Sequence, residues 1–334
     1  MRRFIGHLFN GRKRMRVSLK LKFALFLLLA CITLAVPNMT AQQKGQYMPG
    51  QFGLNAGIIA NPGFTYVDMN LNYSSDRFND RNGNAAAVTG NYNVWAVENQ
   101  LFYVPKFTFL GGHYAVGTII TLANGNLAVP TYGVNGGGAG LADTWIQPFT
   151  VGWHAKRADV FVGDAIMVPT GRYRLGASDN IGSGYLGNHL VTGTTLYLTK
   201  NHGTSANLFT DWEAHGHKSG TNFTPGQAFT TEWGFGQVLP LKKDMSRLLQ
   251  VGGVGYDQWQ VSQNKGPAEA AVATTLGMYS VHSAGVQANF IAPPKGLNVF
   301  FKYYWEYKAY SHSLGNTVSF GFNWTLRDPK PAKP

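Results

Sequence analysis

The sequence predicts an all-β protein, a transmembrane antiparallel β-barrel of about twelve strands whose N-terminal segment is placed to plug the lumen. Three observations lead there. The chain opens with an export leader, its remainder is poor in charge and rich in aromatic residues, and that remainder alternates with period two over long segments. It divides into a signal peptide at 1–41, a periplasmic or plug segment at 42–61, the barrel at 62–326 and a tail at 327–334.

The leader comes first. Arg2, Arg3, Arg12, Lys13, Arg14, Arg16, Lys20 and Lys22 form a basic region without a single acidic residue, and an apolar run follows at 23–36. At about 14 residues the run is too short for a membrane-spanning helix, which needs roughly 20. It has no amphipathic period either, which argues against a buried core helix. Ala41, before Gln42 and Gln43, completes the layout of a secretory signal. Residues 15–22 already make a sufficient basic region, so Met15 is a second candidate start. Leu28, Leu29, Ala30 and Cys31 resemble a lipoprotein processing site, but the apolar run continues past the cysteine, so cleavage near Ala41 is expected instead.

Removing the leader reverses the charge argument. Eight of the 28 basic residues and none of the 16 acidic ones precede Gln42, so the formal balance falls from +12 to +4. The basic character belongs to the export signal and is no evidence for nucleic acid as a partner. Cys31 is the only cysteine, so the mature chain is expected to hold no disulfide, thiol nucleophile or cysteine metal site. Charged residues make up 13% of the chain, aromatics another 13%, and glycines number 41. A soluble domain carries roughly 25% charge, so this surface suits lipid better than water.

About twelve alternating segments follow, near 64–75, 88–104, 113–123, 143–155, 159–169, 187–200, 204–216, 227–239, 247–261, 276–290, 296–310 and 315–326. The last is the cleanest: Val318, Phe320, Phe322, Trp324 and Leu326 alternate with Ser319, Gly321, Asn323 and Thr325. Before it, Leu297, Val299, Phe301, Tyr303, Trp305 and Tyr307 alternate with Asn298, Phe300, Lys302, Tyr304, Glu306 and Lys308. Near the start, Val67, Met69, Leu71 and Tyr73 alternate with Asp68, Asn70, Asn72 and Ser74. In a strand the two sets point to opposite faces. The apolar set is expected to face lipid and the polar set the lumen. A tilted membrane strand needs roughly 9–11 residues, longer than the usual soluble strand.

The connections alternate in length. Those at 156–158, 201–203 and 292–295 are tight, whereas 76–83, 124–142, 170–186, 217–226 and 262–275 are long, polar or Gly-rich. Short periplasmic turns alternating with long outer loops characterise an outer-membrane barrel with both termini inside. Only the last outer connection, around Ser311, His312 and Ser313, is short. Segments 247–261 and 276–290 fit least well, because Asp257 shares parity with Val251 and Trp259, and His282 with Ala284 and Val286. A bulge in either would shift the parity.

Asp68, Glu98, Asp211, Glu213, Glu232, Lys302, Glu306 and Lys308 fall on predicted polar faces and are the candidates for lining the lumen. They serve either as structural pairs across a narrow barrel or as the wall of a solute path. No catalytic residue, metal or cofactor is expected. His215 and His217 lie at strand spacing but lack a third ligand. His312 between Ser311 and Ser313, with Glu306 on the preceding strand, is the best hydrolytic candidate, and an outer turn of small polar residues explains it more simply. The glycines at 136–138 and 140 lack the strand-to-helix context and the lysine of a phosphate loop.

Several of these residues carry a family resemblance. Asn61, Pro62, Gly63 and Phe64 lead into a Tyr- and Asn-rich strand; Leu141, Ala142, Asp143 and Thr144 follow, with Pro148 and then Gly152, Trp153 and His154. Next come Val168, Pro169, Thr170, Gly171, Arg172 and Tyr173, the glycine-rich run from Val251 to Tyr256 with Gln258, and finally Lys302, Tyr303 and Glu306. Together they resemble the outer-membrane transporter family named for the "MetA-pathway of phenol degradation", over most of the chain after Gln42. The resemblance implies a barrel associated with uptake of aromatic or other hydrophobic compounds, and no established catalytic residue. The tail beyond Leu326 departs from barrels that finish on an aromatic residue.

The expected function is therefore a channel or facilitator for small hydrophobic or aromatic solutes in the cell outer membrane. The alternative is a non-conducting structural or surface-interaction barrel. Expected partners are outer-membrane lipid, hydrophobic small molecules and the barrel assembly machinery.

Overall fold

Long alternating strands leave every backbone N–H and C=O seeking a partner on a neighbour, and in lipid only a closed sheet supplies them all. The computed structural model describes residues 45–266 and 277–327. The leader, the first residues of the segment expected in the lumen, part of the loop at 262–275 and nearly all of the tail lie outside the described residues. Fourteen strands form one antiparallel sheet: β1 (Gly63–Asn79), β2 (Asn91–Val104), β3 (Thr108–Phe109), β4 (Gly112–Val129), β5 (Val134–Leu141), β6 (Thr144–His154) and β7 (Ala158–Val168), followed by β8 (Gly187–Tyr197), β9 (Thr204–His215), β10 (Ala228–Pro240), β11 (Leu248–Gln260), β12 (Ser280–Ala292), β13 (Leu297–Tyr310) and β14 (His312–Arg327). Twelve of them form the barrel wall. β1 pairs with both β2 and β14, and β2 with β4, so the sheet closes without an edge. The other two are accessory: β3 is a two-residue ladder in the turn before β4, and β5 continues the line of β6 along β4.

β5 corrects the reading of 124–142 as a loop. The glycines at 136–138 and 140 have no side chains to alternate, but their backbone pairs residue by residue with 123–127 of β4. The hairpin is closed by the 3₁₀ turn Pro130–Tyr132 and by Gly133 at φ 66, a left-handed conformation that glycine adopts without a Cβ clash.

The barrel carries an apolar outer face. On β13, Phe301, Tyr303, Trp305 and Tyr307 are exposed, while Phe300, Lys302, Tyr304 and Glu306 are buried inside. On β14, Phe320, Trp324 and Leu326 are exposed and Thr317 and Ser319 buried. Rings gather near both ends, with Phe64 against Tyr103 at the short-turn end, and Trp212, Phe229 and Trp259 in series near the long loops. Such girdles mark the two interfaces of a membrane barrel. The two residues that disturb the alternation of β11 and β12 find each other: His282 Nδ1 lies 2.7 Å from Asp257 Oδ1, and Trp233 Nε1 donates to Asp257 Oδ2 at 3.1 Å. They form a satisfied pair on cross-strand partner positions, and neither strand needs a bulge there.

Two facing assignments are corrected. On β1 the apolar set turns inward, with Met69, Leu71 and Tyr73 buried. Asp68 consequently faces outward and accepts from Asn70 Nδ2 at 2.9 Å, beside Tyr66, whose hydroxyl donates to Asn99 at 2.7 Å. Period two separates two faces without saying which is the lumen, and this lumen has an apolar filling of its own. Lys308 also faces outward. Ser283 pairs with Glu306 but His282 pairs with Lys308, so Tyr307 is an extra residue that reverses the parity beyond it. Lys308 is exposed, with its ammonium 5.0 Å from the Tyr310 ring centre.

Candidate functional site: the plugged lumen

Residues 45–62 precede β1 and run through the interior from the long-loop end to the short-turn end. Gly45 N donates to Tyr279 Oη at 2.7 Å at one end, and Gly57 N donates to Thr195 Oγ1 at 2.9 Å near the other. The segment has no sheet to satisfy its peptide groups, so lumen side chains do so. Left-handed turns at Gly50 (φ 103), Gly53 (φ 67) and Asn55 (φ 68) fold it back and forth. At Gly53 a Cβ would run into Gln287 Oε1 and crowd Val254 and Tyr304, so the tight path itself requires glycine.

Its centre is clamped between opposite charges. Glu232, on β10, accepts the N–H groups of Gly50, Gln51 and Phe52 at 2.9, 3.0 and 2.9 Å, together with the Tyr47 hydroxyl. Lys302, on β13, donates to the carbonyls of Gly50 and Phe52 at 3.0 and 3.2 Å and to that of Gln51. One carboxylate collects consecutive donors and one ammonium the matching acceptors, all by charge-assisted bonds. Neutral groups extend the grip: Gln287 Oε1 accepts from Leu54 N and Asn207 Oδ1 from Asn55 N, both at 3.0 Å. Asn55 and Gln250 exchange reciprocal amide bonds at 2.7 and 2.9 Å.

The opposite wall is aromatic. Phe52 stacks on Phe209 of β9 with ring centres 4.0 Å apart and planes 12° from parallel, and approaches Phe161 of β7 at 6.2 Å. Tyr47 lies 5.4 Å from the same Phe209. Trp145, Val191, Ile119, Ala56 and Ile59 join this buried cluster, with Phe102 packed against it. A small cavity remains beside Phe52, bordered by Phe102, Trp145, Phe161, Phe209 and Val191, with Gln100 and Gln147 as its polar edge.

The predicted lumen residues separate accordingly. Glu98, Asp211, Glu213, Glu232, Lys302 and Glu306 are all buried inside. Glu232 and Lys302 hold the plug directly. Glu98 accepts from Gln51 Nε2 at 3.3 Å and Gln100 Nε2 at 2.8 Å. Glu213 accepts from Gln46 N at 2.6 Å. Glu306 meets the hydroxyls of Tyr73 and Tyr256 at 3.0 and 2.9 Å and Gly315 N at 2.6 Å. Asp211 faces His189. Asp68 and Lys308 lie on the outside, as described above. Asn207, Gln250, Gln287 and Thr195 are missing from those candidates because they are uncharged, and Phe161 and Phe209 because an aromatic ring suits the lipid face equally well. The amides were legible: Gln250 and Gln287 alternate with apolar neighbours as Lys302 does.

Two of the resemblance motifs, around Asp143 and around Thr170, meet at the long-loop end. Asp143, between β5 and β6, accepts from Gly171 N at 3.0 Å, Ser183 N at 2.8 Å and Ser183 Oγ at 2.5 Å. Thr144 and Thr170 hydroxyls lie 2.7 Å apart. The loop at 169–186 is thereby tied to the wall and reaches the plug, since Gln46 Nε2 donates to Ser183 Oγ at 2.8 Å and to the Tyr185 carbonyl at 3.0 Å. His312, the hydrolytic candidate, is buried with Nδ1 2.6 Å from the Ser313 carbonyl oxygen.

A closed twelve-strand antiparallel barrel with an apolar exterior, ring girdles and an inward plug defines a transmembrane β-barrel of the outer-membrane type. Within that class, a model of the family described as "Putative MetA-pathway of phenol degradation" matches residues 75–322, and the chain belongs to that family. Among solved structures, the COG4313 outer membrane channel from Pseudomonas putida F1 is similar with a TM-score of 0.68 at 10% identity, covering 84% of this chain and 100% of that one. The β domain of the Bordetella autotransporter BrkA is similar with a TM-score of 0.50 at 11% identity, covering 78% of this chain and 100% of that domain. At these identities the likeness is one of fold. No curated protein matches the sequence.

Proposed function

We propose that the chain is an outer-membrane channel or facilitator for small hydrophobic solutes, aromatic ones in particular. The observation that carries this is the aromatic slot inside the lumen. A barrel interior that serves only to hold a plug has no need of Phe52 stacked on Phe209, with Phe161 tilted against them, beside an unfilled space. Flat apolar molecules bind by surface burial, worth about 25 cal/mol per Å², and ring-on-ring contact adds about 0.5–1.5 kcal/mol. Such a solute replaces Phe52 against Phe209 without leaving any polar group unpaired. Family membership and the channel fold support the same reading. The protein then resides in the outer membrane, with lipid around it and the barrel assembly machinery as its route of insertion.

The test is uptake of a radiolabelled alkylbenzene by cells with and without the protein, alongside Phe209→Glu, which places a charge in the slot. Faster uptake with the wild-type protein, abolished by Phe209→Glu in a folded barrel, is expected. Equal uptake in all three strains would leave the non-conducting structural barrel as the correct reading.

A further inference from the structure

At the long-loop end the plug meets a group of side chains whose arrangement the clamp does not explain. His189 of β8 and Asp211 and Glu213 of β9 are all 0% exposed. Each presents a ligand atom, and these atoms lie within 4.8 Å of one another. His189 Nδ1 is 3.0 and 3.1 Å from the two carboxylate oxygens of Asp211, the arrangement in which an ionised Asp211 accepts the Nδ1 proton. In the neutral ring the lone pair then sits on Nε2, which has no hydrogen-bond partner. Glu213 uses Oε2 to accept from Gln46 N at 2.6 Å and to face His215 Nε2 at 3.2 Å, while its Oε1 has none. Gln46 spends its amide nitrogen on Ser183 and Tyr185, which turns Oε1 the other way, also without a partner. A Cβ on residue 187 would overlap Gln46 Oε1 and lie 3.1 Å from His189 Nε2, so Gly187 keeps that corner open.

Three buried acceptors therefore stand without a donor, a costly state for polar groups removed from water. A cation satisfies them. An imidazole nitrogen with carboxylate and amide oxygens is a donor set for a borderline divalent metal such as Zn²⁺, and there is no sulfur to favour a softer ion. Asp211 behind His189 is the supporting carboxylate that fixes a metal-binding imidazole in its tautomer.

We propose that Gln46, His189 and Glu213 bind a divalent transition-metal ion, with Zn²⁺ the best match, which ties the outer end of the plug to β8 and β9. Asp211 acts as the positioning residue for His189. This goes beyond the channel reading and does not depend on it, since a metal latch serves a conducting and a non-conducting barrel alike.

The experiment uses the mature barrel folded in detergent, stripped with chelator and titrated with Zn²⁺ by calorimetry. Co²⁺ is titrated in parallel, because its visible d–d absorption reports the donor set. One saturable site per chain is expected. Asp211→Asn should weaken it by about ten- to hundred-fold, the loss typical of a removed supporting partner, and His189→Gln and Glu213→Gln should each weaken it at least as much. His113→Gln, beside His154 at the other end of the barrel, should leave it unchanged. Each variant is scored only when its heat-modifiable folded band is intact, and the two ligand variants stand in for each other should one fail to fold. No saturable binding would overturn the proposal and assign the three acceptors to bridging waters. Undiminished binding in the two ligand variants would overturn it equally, placing the ion on surface histidines.

Discussion

At the centre of the plug, Gly50 to Phe52, the wall made by β10 to β13 grips the backbone, whereas the facing wall of β7 and β9 meets Phe52 and Tyr47 through rings. Glu232 and Lys302 grip peptide N–H and C=O groups whatever side chains the plug carries, and each bond has a direction. Phe161 and Phe209 grip Phe52 and Tyr47 by contact area, which has almost none. Removing one partner of a charged contact strands the other in a dry interior. Removing one partner of a ring contact leaves an apolar hollow that another apolar body can occupy. The first wall fixes the path of the plug and the second can exchange occupants.

The largest effect should come from Glu232→Gln. It leaves Lys302 without the opposing charge and gives three plug N–H groups and the Tyr47 hydroxyl one neutral oxygen to share, and breaking such buried charge contacts costs about 3–5 kcal/mol. Planar-bilayer recording should then show open-channel ion current that the wild-type barrel lacks. A current like that of wild type would mean that the clamp does not close the lumen. Phe209→Ala should cost about 3–4 kcal/mol in the thermal unfolding of the barrel, as expected for a buried ring, yet leave the ion current closed. Should it open the channel as Glu232→Gln does, the distinction between the two walls disappears. Phe301→Arg tests the outside of the charged wall. A charge on the lipid face costs about 2–4 kcal/mol near the midplane, so the heat-modifiable folded band should be lost, while Lys302→Gln next to it assembles and conducts. The smallest change belongs to Lys308→Ala, within about 0.5 kcal/mol, because the bulge has already removed Lys308 from the lumen. A large loss on urea titration would return it to the interior and contradict the register of β13.

β13 and β1 show how far alternation carries. On β13 both the faces and their assignment were legible, because five apolar residues in register with bulky rings oppose Lys302 and Glu306. On β1 the faces were legible and the assignment was inverted. Met69 and Leu71 are as apolar as any lipid-facing pair, and only the filled lumen draws them inward. The bulge at Tyr307 left no trace in composition, since an extra aromatic residue extends the apolar pattern instead of breaking it. The glycines of β5 lacked side chains to report their pairing. For the site, charge located Glu232 and Lys302, but the plug backbone that joins them has no signature in any single residue. The tight turns, the closing strand and the long loops other than 124–142 were readable because turn chemistry and strand length are local.

The clamp also sets a calendar for assembly. Lys302 meets Gly50 across 252 positions of sequence and Glu232 meets it across 182, so the order of the plug depends on strands far along the chain. Closing contacts between distant residues carries an entropy cost that grows with the intervening length, and such contacts form late. The plug runs directly into Gly63, the first residue of β1, which must zip onto β14 to complete the wall. The plug is thus joined covalently to the wall beside the seam and held at its other end by the Gly45 to Tyr279 hydrogen bond. Seating the plug is thereby coupled to sealing the cylinder, because both draw on the same late, long-range contacts.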